Sequence, residues 1–171
     1  MHRTDLSTMP CPVARSLERV GEWWNILILR DAFYGVTRFD DFRQRTGISP
    51  AMLTRRLKAL VEAGLLERRR YSAHPPRDEY VLTERGRDFR PVILALFAWG
   101  NRHFAPEGKS LMLIDTVTGI EVDPVVTDRA SGKLIEGERY RVVVGPAATD
   151  RTQARFAAPT RSTSIVPSSS K

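Results

Sequence analysis

Residues 46–86, from Thr46 to Gly86, read TGISPAMLTRRLKALVEAGLLERRRYSAHPPRDEYVLTERG. Ser49-Pro50 marks a helix start, an N-cap hydroxyl followed by proline at the first helical position. Leu53, Leu57, Leu60 and Val61 recur at helical spacing and predict a buried stripe, with Gly64 as the stop. The flanking and opposite faces carry Met52, Thr54, Arg55, Arg56 and Lys58. Leu65 to Tyr71 then reads as a strand and Glu79 to Leu82 as its return. Between them, Ser72 to Asp78 contains His74-Pro75-Pro76, which predicts a turn because proline gives a ladder no N–H. Turn, amphipathic helix and Arg-rich hairpin, in that order, are how a helix-turn-helix continues into a wing.

The charge follows the same segment. Residues 43–77 carry nine basic side chains against two acidic ones, and this +7 equals the formal net charge of all 171 residues. Positive charge gathered on one helix and one hairpin suits phosphate. The helix start at Ser49 offers backbone N–H groups and the positive dipole end to a phosphate, with Pro50 and Met52 beside it as candidate DNA contacts. Thr54 can touch a base edge or a thymine methyl, Arg55 and Arg56 can reach guanine or phosphate, and Lys58 adds charge. Along the strand Arg68 and Arg70 share one face, which leaves Arg69 as a solvated bystander. His74 and Arg77 at the tip suit an adjacent minor groove. Two other classes fit the same charge: a winged-helix module that binds an acidic protein, and an architectural DNA binder without sequence preference.

Upstream, a first helix is expected from Pro12 to about Val20 and a second from about Glu22 to Tyr34, ended by Gly35. A short third runs from Phe39 to about Arg45, with Asp40 and Asp41 in its first turn and Gly47 as its stop. Downstream, Thr83 caps one long helix from about Glu84 to Phe104, with Phe89, Val92, Ile93, Leu96, Phe97 and Trp99 on its apolar stripe. Beyond Pro106-Glu107-Gly108, three or four short strands are expected, with turns at Thr118-Gly119 and Ser131-Gly132 and no internal repeat. The organisation is a flexible arm (1–10), one domain (11–106), a small β-rich extension (107–145) and a disordered tail (146–171) poor in apolar residues. The fold class is α+β: a mainly helical winged helix-turn-helix domain with a two-stranded wing and a strand-rich C-terminal extension.

Composition narrows the function. A hydrophobic content of 42% is enough to fill a core. Of 27 basic residues 23 are arginine, which suits bidentate contacts but also follows from a GC-rich genome. A single cysteine, Cys11, excludes an internal disulfide framework and an all-Cys metal site. The sequence shows no signal peptide, and its apolar runs fall far short of the ~20 residues that span a bilayer. A cytoplasmic protein without membrane contact is expected. His2, His74 and His103 are far apart and lack partners at ligand spacing, and no Gly-rich phosphate loop or nucleophile elbow is present. No enzyme, cofactor or metal site is expected.

Four segments resemble the HxlR-type winged helix-turn-helix regulators, which share the architecture of MarR-like regulators. They are Cys11-Pro12-Val13 with Gly21 and WNILILR (Trp24 to Arg30); ISPAMLTRRLKALVEAG (Ile48 to Gly64); Leu66 to Arg68 with Pro75, Pro76, Tyr80, Leu82-Thr83 and Gly86; and Trp99-Gly100. The resemblance covers about residues 11–105 and departs at Trp23, where the family usually has a polar or charged residue. It implies a symmetric homodimer built on the first and last helices, with Val13, Leu17, Leu94, Phe97 and Trp99 at the interface. It also implies a fourth helix in the major groove and control of promoter access. Independently, two recognition helices about one helical turn apart would read a pseudo-palindromic operator on double-stranded DNA.

Cys11 precedes a helix start and has Arg15 one turn on, a setting that lowers a thiol pKa. The family position often holds a cysteine, and some members use it to sense oxidants or electrophiles, so Cys11 is the candidate redox sensor. The bland alternative is a small apolar residue packed in the dimer. Trp23, Trp24, Phe33, Phe97, Trp99 and Phe104 are candidates to line a pocket for a small-molecule effector, or simply to pack the core and dimer.

Overall fold

The computed structural model describes residue 6 and residues 8–157. Most of the expected N-terminal arm, and residues 158–171 of the expected tail, lie outside the described residues. Helices α1 (Pro12–Val20), α2 (Trp23–Phe33), α3 (Phe39–Thr46) and α4 (Pro50–Glu62) come first. Strands β1 (Leu66–Ala73) and β2 (Pro76–Leu82) follow, then α5 (Glu84–Arg87), α6 (Arg90–His103) and, after a 3-10 turn at Gly137–Arg139, α7 (Asp150–Ala157). The fold is a mainly helical winged helix-turn-helix with a two-stranded antiparallel wing.

One core joins α2, α3 and α4. Ile28, Leu29, Phe42, Leu53, Leu57 and Leu60 are fully buried, and Ile48 and Leu65 close it from the flanking turns and Leu66 from the start of β1. Burial of each such side chain stabilises by about 1.5–3 kcal/mol. The turn from α3 into α4 depends on Gly47, whose φ of 70° is the left-handed value that glycine adopts without strain. Its N–H donates to the Arg43 carbonyl, closing α3. Ser49 then caps α4, its hydroxyl accepting from the Met52 N–H at 3.4 Å.

The wing is longer than the sequence suggests. Pairing runs from Leu66↔Leu82 to Ala73↔Pro76, with a bulge between Arg70 and Ser72. Only His74 and Pro75 remain as turn, where seven residues were expected. Pro76 fits because it is the first residue of its strand, a position that tolerates a missing N–H. The Tyr80 N–H donates to the Thr37 carbonyl at 2.7 Å, and Arg38 bridges to Glu79, so the lead-in to α3 lies along β2.

The expected single last helix is broken. Pro91 lies in the first turn of α6, and a proline ring clashes with the carbonyl four residues back. The chain therefore leaves helix at Asp88 and Phe89 and restarts at Arg90.

The extension differs more. Between residues 107 and 145 the described chain forms isolated bridges, Ile114↔Glu121 and Thr127↔Leu134, instead of three or four strands. Each bridge closes a turn of one design. The Asp115 carboxylate accepts from the N–H groups of Val117 and Thr118, and Asp128 accepts from Ala130 and Ser131. The N–H groups of Gly119 and Gly132 return to the carbonyls of Asp115 and Asp128. An Asp-x-x-Thr/Ser-Gly unit thus occurs twice, an internal repeat too short to stand out in the sequence. Aspartate side chains that capture local N–H groups draw them away from a ladder. Within the expected tail, residues 150–157 are helical.

Candidate nucleic-acid interface

Burial of Leu53, Leu57 and Leu60 decides which face of α4 meets the core, and with it which residues face water. Ala51, Thr54, Arg55 and Lys58 are exposed, with Ser49 and Pro50 exposed at the N-terminal end. The Thr54 hydroxyl donates to the Pro50 carbonyl at 2.9 Å, which holds the side chain against its own helix. Ala51 belongs to this surface although its small side chain gave no signal in the sequence.

Two expected contact residues depart from that surface. Met52 is half-buried and packs against the core. Arg56 is only 6% exposed, and its Nη2 lies 2.8 Å from Oε2 of Glu22. The reason is helical geometry: Leu53, Arg56, Leu57 and Leu60 form the i, i+3, i+4, i+7 set of one buried face. Arg56 is therefore removed from the base-reading set.

On the wing, Arg68 and Arg70 share a face and reach across to the same carboxylate, Asp78, at 2.5 and 3.4 Å. The hydrogen bond from Arg68 holds the Asp78 carboxyl below the usual carboxylate range, and Arg70 adds to the effect. Two cations against one anion leave this face positive. Arg69 sits on the other face and pairs with Glu67, whose carboxyl it holds below its ordinary value. His74 and Arg77 are exposed at or beside the tip. Arg43 and Arg45 are exposed in the last turn of α3, and the Arg38 guanidinium lies 5.0 Å from the ring centre of Tyr71 on the wing. None of these three was singled out from sequence, although Arg43 and Arg45 lie in the window of excess charge.

Away from this surface, Cys11 is half-buried at the N-cap of α1. The Arg15 guanidinium donates to the Met9 carbonyl at 2.9 Å. Val13 and Leu17 on α1 are exposed, as are Val92, Leu96 and Trp99 at i, i+4, i+7 on α6. Leu94 and Phe97 are half-buried and lie off the outermost stripe, which Val92 and Leu96 occupy instead. The aromatics do not converge on one pocket. Trp23 stacks on Trp24 at 4.3 Å, Trp99 meets Phe104 edge-on at 4.8 Å, and Phe97 lines a cleft of about 290 Å³ between α6 and the extension. Among the described residues no helix is long and apolar enough to cross a membrane.

The HxlR-like helix-turn-helix family model matches residues 19–108. The chain is 42% identical over 135 residues to an HTH-type transcriptional regulator of Mycobacterium tuberculosis, covering 78% of this chain and 85% of that one. A solved structure from Pseudomonas aeruginosa, a candidate transcription factor, is 52% identical with a TM-score of 0.62, covering 85% of this chain and 99% of its own. The redox regulator HypR in its oxidised form is 35% identical with a TM-score of 0.51, covering 54% of this chain and 97% of its own. The chain belongs to the HxlR-like helix-turn-helix family and is a DNA-binding transcriptional regulator.

Proposed function

We propose that this regulator acts in the cytoplasm as a homodimer that reads a pseudo-palindromic operator. One observation carries the reading: α4 turns Thr54, Arg55 and Lys58 to solvent beside a wing that also keeps excess positive charge. Thr54 and Arg55 contact bases, while Lys58 and the backbone N–H groups of the helix start at Ser49 hold phosphate, with Pro50 beside them. Arg68, Arg70, His74 and Arg77 follow the backbone and the adjacent minor groove. The exposed apolar residues of α1 and α6 support the two-fold pairing. Selection of bound sequences from a random DNA pool tests this. The expected product is a two-fold site with half-sites about one helical turn apart. Tight, salt-steep binding without enrichment would instead mark an architectural binder, and absence of DNA binding at moderate salt a module for an acidic protein.

The signal follows from Cys11. In the dimer, peroxide oxidises the two Cys11 thiols to one intersubunit disulfide, releasing water. The likeness to HypR, a redox regulator, supports this arm of the reading. Cys11→Ser is expected to keep operator binding and to lose any change of binding with peroxide or quinone. A response that persists in the variant would remove Cys11 as the sensor.

A further inference from the structure

Arg55 and Arg56 are adjacent in sequence but serve opposite sides of α4, one in solvent and one buried against Glu22. We propose that Arg56 is a positioning residue: its ion pair with Glu22 fixes the rotation of the recognition helix against the α1–α2 joint, and so the presentation of Thr54, Arg55 and Lys58. The inference rests on the operator-reading function above.

Glu22 is the N-cap residue of α2, one residue beyond the Gly21 that ends α1. Gly21 closes α1 tightly, its N–H donating to the Leu17 carbonyl at 2.7 Å, and a Cβ there would lie 2.4 Å from that same oxygen. The Asn25 N–H donates to the Glu22 carbonyl at 2.7 Å, and its side-chain amide donates to the Arg19 carbonyl at 3.1 Å. These bonds hold the end of α1 and the start of α2 as one unit. Arg56 reaches that unit from α4, which packs against both helices.

The rest of the contact between α4 and the core is a leucine stripe. Apolar burial selects a face but is non-directional and prescribes no single bond geometry. A charge-assisted hydrogen bond prescribes a direction and a distance. The same joint continues into α1, whose Val13 and Leu17 are exposed on the proposed dimer face. The ion pair thus relates the reading face of each recognition helix to the dimer arm, which sets the geometry of the two half-sites.

The pair is buried at Arg56 but only half-buried at Glu22, whose side chain is 30% exposed, and a desolvated ion pair is often worth no more to stability than apolar side chains of similar volume. Positioning and folding are therefore separable. The test uses the full chain, a selected operator and random DNA, with Arg56→Met, Arg56→Lys and the double variant Glu22→Leu/Arg56→Met. The double variant is expected to melt near wild type yet to lose operator preference by about tenfold, the size of one misread base pair. Arg56→Lys, which can keep the pair, is expected to retain most of the preference. The salt slope of Arg56→Met is expected to stay at the wild-type value, while Arg77→Ala lowers it by about one. Full operator preference in the double variant would overturn the inference, as would a slope for Arg56→Met reduced like that of Arg77→Ala or a loss in Arg56→Lys equal to that in Arg56→Met. A wild-type protein without operator preference would overturn the operator reading itself, before any variant is measured.

Discussion

Arg55 and Arg77 each carry one charge into solvent, but from different mounts. Arg55 projects from a helix whose opposite face is locked in the core, so it can meet a base edge in one geometry. Arg77 follows the hairpin turn, where it can track a phosphate but has little to fix a base contact. Arg55→Ala is expected to cost about 1–3 kcal/mol on the operator and to relax preference at one position, while Arg77→Ala weakens all sequences alike and lowers the salt slope by about one. Titrations of operator and random DNA across salt concentrations check both. Equal losses on both DNAs for Arg55→Ala would assign it to phosphate. Arg56 marks the boundary of what its own sequence segment makes legible. Its place on the 53, 56, 57, 60 face can be read from spacing alone, but a count of charges in a window treats it as one more cation. Its partner Glu22 lies far away in sequence, and only the packing of α2 on α4 brings the two together.

At the scale of elements, local chemistry made α1 to α4 readable, because Pro12, Gly47, Ser49 and Pro50 each carry a capping or turn preference that tertiary packing leaves intact. The extension departs from the expected strands for the opposite reason. Its Val and Ile content suggests strands, but Asp115 and Asp128 bind the local N–H groups first. At the junction of α4, β1 and α5, Gly64 as a stop and Thr83 as a cap were legible, but the contacts that join them were not, since they link distant residues. The Thr83 hydroxyl donates to the Gly64 carbonyl at 2.6 Å and accepts from the Gly86 N–H at 3.0 Å, tying the end of α4 to the exit of the wing. Gly86 sits so close that a Cβ there would lie 2.1 Å from the Leu65 carbonyl oxygen, a backbone atom that cannot swing aside. Gly86→Ala is expected to destabilise the domain by about 1–3 kcal/mol through overpacking. A denaturant titration checks this, with a lowered midpoint and an unchanged slope as the expected result. A midpoint equal to wild type would mean that the junction relaxes more freely than its contacts suggest.

For the whole molecule, the distribution of apolar surface matters more than its amount. Val92, Leu96 and Trp99 form one exposed stripe on α6, and Val13 and Leu17 are exposed on α1. A stripe at helical spacing that stays about half exposed among the described residues fits a second helix of the same kind. Because Leu96 is 41% exposed, a charge there should leave the monomer fold intact. In the proposed dimer, Leu96→Asp would instead place a carboxylate from each subunit in the interface, where like charges repel and lose solvation. Sedimentation is expected to show a dimer for wild type and a monomer for the variant, with the same circular dichroism spectrum. DNA binding then carries a second signature. A monomer covers one half-site and makes half the phosphate contacts, so the slope of log affinity against log salt is expected to fall to about half. A monomeric variant that keeps the full slope would mean that one subunit alone makes all the backbone contacts. A variant that remains dimeric would move the interface away from α6.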